Sequence, residues 1–392
     1  MFELSLDMYQ SAALGAVVLG IGILLVREIP ALRRFCIPTS VIGGLLFSII
    51  MLVTHSADLL EITMDDTIRE LCMRIFFCSI GFMASLAMLK TGGRVMATLI
   101  FLVFVLICVQ NFVGIFCVSM FGLDPGYGLA LGSMSLIGGH GTSAAFGEVL
   151  VKDYGLVGGD VVAISAATFG LAIAGIVGGP LSKHLVRKYD LKSGDSELKA
   201  KDSSDTHIDQ HRFLQAILII VISLGVGEII NRLFADVGIS LPSYLGAMIV
   251  AFVVRNIAEY GKVDMPAKEL ETVGWVALCL FLAMALMGMK LWQLEDLAAP
   301  MVFTLLIQTV ILIIFVYFIV FRVTGRNYES AAMVAGMSGF GLGATPNAVA
   351  NIEALMNEYG PAPVAYFVVP IVSGIFLDII NVTVLTVLLN VI

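Results

Sequence analysis

The stretch GMSGFGLGATPNAVANIEALMNEYG, which runs from Gly336 to Gly360, decides the fold of this chain. It consists largely of small and polar residues, although the sequence on both sides of it is strongly apolar. Irregular backbone among apolar spans is tolerated only where other protein surrounds it or where it lines a cavity. The stretch therefore indicates a polar site inside an otherwise apolar protein.

A second stretch, GSMSLIGGHGTSAAFGEVLVKDYG from Gly132 to Gly155, repeats this pattern earlier in the chain. The ends of the two stretches align without a gap, because EVLVKDYG at 148–155 matches EALMNEYG at 353–360. Two glycine-interrupted segments at corresponding positions of two halves are typical of the binding site of a transporter.

The composition indicates a polytopic membrane protein. Of its 392 residues, 59% are hydrophobic and only 13% are charged, whereas soluble domains have about a quarter charged. The sequence contains no HExxH, GxSxG or P-loop motif, so we expect neither an enzyme nor an organic cofactor. It also lacks a basic stripe with aromatics, and nucleic acid is therefore not an expected partner.

Apolar runs of about 20 residues predict the membrane spans. Five runs precede a polar linker at 183–212 and five follow it. Because five is odd, the second half starts from the opposite side of the bilayer and is an inverted copy of the first. The predicted fold is an all-α polytopic membrane protein with repeats at 1–182 and 213–392. The ten predicted spans are Met8–Val26, Ile37–Thr54, Leu71–Leu89, Val95–Phe121, Val161–Leu181, Phe213–Phe234, Leu241–Val254, Val273–Met289, Met301–Val323 and Val364–Val391.

The two glycine-rich segments are too short to cross the membrane twice. Residues 127–137 would form only ~17 Å of helix, against a hydrocarbon core of ~30 Å. Each segment is better interpreted as a re-entrant helical hairpin between the fourth and fifth spans of its repeat, at 127–155 and 328–360. Because the repeats are inverted, the hairpins enter from opposite sides and their tips can meet near the midplane.

The distribution of Lys and Arg predicts the orientation of the chain. An N-terminus outside the cell places these residues inside in a ratio of roughly three to one, as the positive-inside rule requires. The same arrangement places the linker inside and the C-terminus outside.

The tips of the hairpins are the predicted substrate site. Glycines let the backbone approach a ligand closely, and Thr142, Ser143 and Thr345 lie where helix N-caps are expected. The free N–H groups of a helix N-terminus bind carboxylates, although close helix packing through small residues is the alternative explanation. The predicted substrate-binding residues are Gly139, Gly141, Thr142, Ser143, Gly341, Gly343, Thr345, Asn347 and Asp378.

Carbonyl groups at the ends of the preceding half-helices, with nearby side-chain oxygens, suit Na⁺. Asp378 is a carboxylate inside an apolar span and a functional candidate for that reason. It could pair with an ammonium group or help to bind Na⁺, or it could have a structural partner. His140 in the first tip could have a proton-coupling role, although a lone His is more often a structural donor, and Gln110 and Asn111 are weaker candidates that could instead make interhelical hydrogen bonds. The predicted Na⁺ ligands are Ser135, Gly138, Asn351, Asp378 and Asn381.

Four motifs resemble the bacterial sodium/glutamate symporter family. They are GGHGT at 138–142, FLAMALMGMKLW at 281–292, GFGLGATP at 339–346 and FLDIIN at 376–381, and the resemblance covers nearly the whole chain. It implies Na⁺-coupled uptake of L-glutamate across a bacterial inner membrane, with periplasmic termini and a cytoplasmic linker.

The resemblance also implies a homodimer in the lipid bilayer, in which a core domain with both hairpins slides against a scaffold domain in an elevator-type motion. Two other functions stay open at this point. A carrier of another dicarboxylate or hydroxycarboxylate could share the architecture, and an ion channel is a more distant alternative that would show no counterflow.

Overall fold

A computed structural model describes residues 2–29, 38–193, 209–236, 242–294 and 297–391. Residues 194–208 of the predicted linker and the cations Arg33 and Arg34 lie outside the described residues. The predicted linker at 183–212 overlaps two helices at its ends, because one helix continues to Lys188 and the next begins at Gln210.

The first half of the chain contains two short strands and eight helices among the described residues. The first helix begins at Met8 because the Asp7 carboxylate accepts hydrogen bonds from the backbone N–H groups of Tyr9 and Gln10. The elements are β1 (Phe2–Leu6), α1 (Met8–Glu28), α2 (Thr39–Ser56), β2 (Leu60–Met64), α3 (Thr67–Met83), α4 (Leu86–Ser119), α5 (Pro125–Ala130), α6 (Ser133–Leu136), α7 (Gly139–Lys152) and α8 (Gly159–Lys188).

The described part of the second half is helical throughout, apart from its connections. Two of its long helices include a stretch of π-helix, at Phe315–Val320 and at Val372–Phe376. The elements are α9 (Gln210–Asp236), α10 (Leu245–Tyr260), α11 (Ala267–Met287), α12 (Ala298–Val323), α13 (Tyr328–Leu342), α14 (Thr345–Tyr359) and α15 (Pro363–Leu389).

Eight of the described helices are long and apolar enough to cross a membrane, which makes the chain a multi-pass membrane protein. They are α1, α2, α4, α8, α9, α11, α12 and α15. The predicted spans Leu71–Leu89 and Leu241–Val254 correspond to α3 and α10, which have only 17 and 16 residues. Helices of that length reach ~25 Å, at the short end of what a bilayer requires.

A two-stranded parallel sheet was not predicted by the all-α interpretation. Strand β1 pairs with β2 in a register that places Phe2 beside Leu60 and Leu6 beside Met64. The Ser11 hydroxyl also accepts a hydrogen bond of 3.0 Å from the backbone N–H of Asp65. These bonds attach the N-terminal segment to the loop that follows α2.

The chain packs into two compact units, and each unit combines elements from both halves. Unit 1 contains α1–α3 and α9–α11, whereas unit 2 contains α4–α6, α8 and α12–α15, with α7 divided between them. The bounds of unit 1 are Met1–Ala87, Ala144–Val149 and Asp205–Glu295, and those of unit 2 are Met88–Ser143, Leu150–Ser204 and Asp296–Ile392. The bounds of these units are set by packing and differ from those of the predicted repeats. The repeat boundaries at 182 and 213 therefore stay a prediction.

Glycines allow the helices of unit 1 to pack closely. A Cβ on Gly22 of α1 would lie 2.0 Å from the carbonyl oxygen of Thr39 on α2. In the same way, a Cβ on Gly81 of α3 would lie 2.3 Å from the carbonyl oxygen of Met248 on α10. Small residues at such crossings let helix backbones approach each other, which is how helices associate in membranes.

Candidate functional site

The two glycine-rich segments are broken helices that turn back on themselves. Hairpin 1 consists of α5, α6 and α7, and hairpin 2 consists of α13 and α14. A tyrosine closes the base of each hairpin: Tyr127 Oη donates to the carbonyl oxygen of Val157 at 2.7 Å, and Tyr328 Oη donates to that of Gly360 at 2.5 Å. The first and last residues of each segment therefore lie close together.

The tip of hairpin 1 lies at Gly138 and Gly139. Gly139 has a φ of +61°, a left-handed conformation that glycine adopts without strain. Helix α7 already begins at Gly139, so Thr142 and Ser143 are its fourth and fifth residues. The prediction that one of them is the N-cap was wrong, because the left-handed glycine starts the helix earlier.

The tip of hairpin 2 lies between Leu342 and Thr345. The backbone of Ala344 is extended, with φ −157° and ψ 168°, and Ala344 occupies the N-cap position of α14. Thr345 is the first residue of the helix and was wrongly predicted as its cap, whereas Pro346 lies in the first turn, where proline is tolerated. The extended alanine moves the helix start by one residue.

The tips of the two hairpins meet in unit 2. A Cβ added to Gly139 would lie 3.6 Å from the carbonyl oxygen of Gly343. Helix α8 packs against hairpin 2 at the same level, because a Cβ on Gly170 would lie 2.0 Å from the carbonyl oxygen of Leu342. The structure thus brings together residues of two segments that are about two hundred positions apart in the chain.

Buried side chains hold the tip of hairpin 1. Ser133 Oγ donates to Asn381 Oδ1 at 2.7 Å and accepts from Asn111 Nδ2 at 2.8 Å. Asn381 Nδ2 in turn donates to the Ser133 carbonyl oxygen at 3.1 Å. Ser143 Oγ lies 3.1 Å from Ser135 Oγ, which joins a predicted substrate residue to a predicted Na⁺ ligand.

Hairpin 2 is held instead through backbone carbonyl groups of neighbouring helices. Asn347 Nδ2 donates to the Leu171 carbonyl oxygen at 3.0 Å, and Asn351 Nδ2 donates to that of Ala174 at 3.2 Å. Asn347 is only 2% exposed, and its Oδ1 atom is buried without a hydrogen-bond partner among the described residues. A buried acceptor in this state is costly unless a ligand or water satisfies it.

Asp378 lies two residues after the end of the π-helix at Val372–Phe376 of α15. Within the described ranges, its carboxylate makes no hydrogen bond or ion pair, and it is the one charged side chain of α15. It lies one turn before Asn381, whose Nδ2 atom is so near Gly138 that a Cβ added there would lie 2.7 Å from it. Stretches of π-helix occur frequently at functional sites.

His140 has a structural partner on α8. Its Nε2 atom is 3.0 Å from Thr168 Oγ1, and the Thr168 hydroxyl donates to the carbonyl oxygen of Ile164 at 3.0 Å. Because the hydroxyl proton is used there, the imidazole is assigned as the donor to Thr168. This geometry fits the structural interpretation of His140 better than a proton-coupling role.

Three residues in and around the tips had little or no signal in the sequence: Ser133, Gln110, which was only a weaker candidate, and Gln308, which bonds to Gln110 and to neither tip. Ser133 joins three elements, although nothing in its local pattern distinguishes it from a packing residue. Gln110 Nε2 donates to the Gly341 carbonyl oxygen at 2.8 Å, and Gln308 Nε2 donates to the Gln110 carbonyl oxygen at 2.6 Å. The only signal for the glutamines was their similar position in the fourth predicted spans.

An ion-pair cluster lies at the base of hairpin 2. Glu358 contacts Lys183 Nζ at 2.5 Å and Arg187 Nη2 at 3.1 Å. Hydrogen bonds from Lys183 and Tyr359 lower the pKa of Glu358 from 4.5 to about 2. Since the folded pKa is the lower one, the cluster is fully formed above about pH 4.5 and weakens only as the pH falls towards 2.

The comparisons with known proteins all point to one family. The sequence profile of the sodium/glutamate symporter family matches residues 4–361. The chain is 37% identical over 383 residues to the sodium/glutamate symporter of Escherichia coli (strain K12), and the match covers 96% of each chain. It is 33% identical over 388 residues to the sodium/glutamate symporter of Haemophilus influenzae, covering 97% of this chain and 96% of the relative.

Proposed function

We propose that this chain, which belongs to the sodium/glutamate symporter family, couples the inward movement of L-glutamate to that of Na⁺. The relatives are transporters and not enzymes, in agreement with the expectation from the sequence. The observation that carries the proposal is that the tips of two broken helices meet in one unit. Asn381 of α15 lies next to one of these tips, close to Gly138. Broken helices with facing tips are the usual site of substrate and ion binding in inverted-repeat transporters.

The carboxylates of glutamate bind at the helix starts beyond the tips. Helices α7 and α14 both begin there, and the N–H groups of their first turns favour negative charge. The ammonium group then requires acceptors, which the unpaired carboxylate of Asp378 and the unpaired Oδ1 atom of Asn347 supply. The remaining substrate residues of this proposal are Gly139, Gly141, Thr142, Ser143, Gly341, Gly343 and Thr345.

Na⁺ binds to oxygen atoms on the hairpin 1 side of the same site. Ser135 supplies a hydroxyl and Gly138 a carbonyl group, with Asp378 as the charged ligand. Asn381 Oδ1 already accepts from Ser133 but retains a second lone pair for a cation. The remaining ligand comes from hairpin 2: the Asn351 amide nitrogen is engaged with carbonyl groups of α8 and α13, so its oxygen is the atom available to Na⁺.

Transport proceeds by alternating access in an elevator-type motion. In this proposal, unit 2, which holds both hairpin tips, acts as the moving core domain, and unit 1 acts as the scaffold of a homodimer. The chain lies in a bacterial inner membrane with periplasmic termini and a cytoplasmic linker, as the charge distribution predicts. The membrane potential adds driving force, at ~2.3 kcal/mol per charge per 100 mV.

The direct test uses purified protein in liposomes and labelled L-glutamate. We expect uptake to fall at least tenfold when the inward Na⁺ gradient is replaced by an equal K⁺ gradient, because the coupling ion is then missing. Liposomes without protein give the background. Undiminished uptake in K⁺ would rule out Na⁺ coupling, and competition by citrate stronger than that by unlabelled glutamate would favour a carrier of hydroxycarboxylates.

A further inference from the structure

We propose that Gln110 and Asn111, two neighbours on α4, are positioning residues that couple the geometry of the two hairpin tips. The inference rests on the proposed function, since the tips matter only if they bind glutamate and Na⁺. Neither side chain needs to touch either ligand. Their role is to fix the two tips relative to one helix, so that Na⁺ bound at one tip improves the other tip for glutamate.

Gln110 holds the tip of hairpin 2. Its Nε2 atom donates to the carbonyl oxygen of Gly341, in the last turn of α13, at 2.8 Å. The last four carbonyl groups of a helix have no partner within the helix, so this bond fixes one of them and the direction of the rest. The side-chain amide cannot be flipped, because its Oε1 atom would then face the Gly341 carbonyl oxygen.

Asn111 holds the tip of hairpin 1. Its Oδ1 atom accepts from the backbone N–H of Ser133 at 3.1 Å, and its Nδ2 atom donates to Ser133 Oγ at 2.8 Å. Ser133 starts α6, the short helix that leads into the tip, and it continues the network to Asn381 on α15. Asn111 therefore connects α4 to hairpin 1 and, through Ser133, to the helix that carries Asp378.

The two side chains reach different hairpins because consecutive residues on an α-helix point about 100° apart. Gln110 and Asn111 are both completely buried, and so is Ser133. Hydrogen bonds in such an environment have no water to replace them, so losing one leaves a backbone group unsatisfied. A movement of either tip is therefore transmitted to α4 and from there to the other tip.

The test measures coupling rather than affinity. The dissociation constant of L-glutamate is determined for the purified full-length protein with choline and with saturating Na⁺, and the ratio of the two values reports the coupling. We expect Gln110→Met and Asn111→Leu to lower this ratio at least fivefold. A purely structural role would weaken binding equally in both salts and leave the ratio unchanged.

Two further variants keep the test decisive. Gln308→Met removes a buried amide of the same kind, but that amide donates to the Gln110 carbonyl oxygen and to neither tip, so we expect the wild-type ratio. Ser133→Ala removes only one hydroxyl and should lower the ratio at least threefold, even if the larger changes prevent folding.

A wild-type ratio in Ser133→Ala and in every folded variant of Gln110 or Asn111, or an equal fall in Gln308→Met, would overturn the inference. A wild-type protein whose glutamate affinity does not depend on Na⁺ would instead refute the proposed function. The two failures are therefore distinguishable in one set of measurements.

Discussion

Hairpin 1 and hairpin 2 have the same construction at their bases and different anchors at their tips. A tyrosine hydroxyl closes each base by donating to a carbonyl group, at Tyr127 and at Tyr328. At the tips, hairpin 1 is held by hydroxyl and amide side chains around Ser133, whereas hairpin 2 is held by amides that donate to backbone carbonyl groups. The incoming limb also differs, since α13 is one helix and its counterpart is divided into α5 and α6.

The difference shows that a repeated sequence pattern does not imply repeated chemistry. Hydroxyl and amide oxygens concentrate on the hairpin 1 side, which is the chemistry that Na⁺ prefers. On the hairpin 2 side, the amide nitrogens are engaged with helix backbones, and the unpaired Asn347 Oδ1 atom is left as an acceptor. We therefore expect variants on the two sides to affect Na⁺ dependence and glutamate affinity to different extents.

Asp378→Asn should have the largest effect, because it removes the single charge of α15 on the hairpin 1 side while keeping the size of the side chain. We expect Na⁺-driven uptake of L-glutamate into liposomes to fall at least 100-fold, without loss of folded protein by size-exclusion chromatography. Thr383→Val on the same helix is the control, since the Thr383 hydroxyl bonds only to its own helix backbone. Transport at the wild-type rate would show that Asp378 is not part of the binding site.

Glycine substitutions test the packing of each tip separately. A Cβ on Gly138 would lie 2.6 Å from the Met134 carbonyl oxygen in hairpin 1, and a Cβ on Gly170 would lie 2.0 Å from the Leu342 carbonyl oxygen in hairpin 2. Because backbone atoms cannot move aside cheaply, Gly138→Ala and Gly170→Ala should each lower uptake at least tenfold.

Gly179→Ala is the matched control for Gly170→Ala, because a Cβ on Gly179 of the same helix meets nothing within 4 Å. We expect its uptake to stay within twofold of wild type. Equal losses in Gly170→Ala and Gly179→Ala would show that helix α8 tolerates no side chain at all, and that contact with the tip is not the cause.

Removing the tyrosine hydroxyls at the hairpin bases should have the smallest effect. The comparison should show which of the two bases contributes more to stability. Tyr328 is only 4% exposed, whereas Tyr127 is only partly buried. Loss of one buried hydrogen bond costs about 1 kcal/mol, so Tyr328→Phe should lower the thermal unfolding temperature in detergent more than Tyr127→Phe. The opposite order would mean that the base of hairpin 1 is the more important closure for stability.

Much of the fold could be predicted from the sequence because hydropathy and helix breaking are local properties. Apolar runs predicted ten spans, of which eight correspond to helices that can span a membrane and two to shorter helices, and glycines identified both broken segments. The same local rules failed at helix ends, where Gly139 and Ala344 start their helices earlier than the polar residues suggested. The β1–β2 pair was missed because each strand is short and is stabilised mainly by the other.

The sequence by itself determined that this is a transporter of its family with two tip motifs, since those motifs depend on residue types within a few positions. Only the tertiary structure decided which side chains hold the tips. Gln110 and Gly341 are 231 residues apart, and Ser133 and Asn381 are 248 apart. Such partners are set by how the helices pack, because a buried polar group bonds to whatever the packing brings within 3 Å.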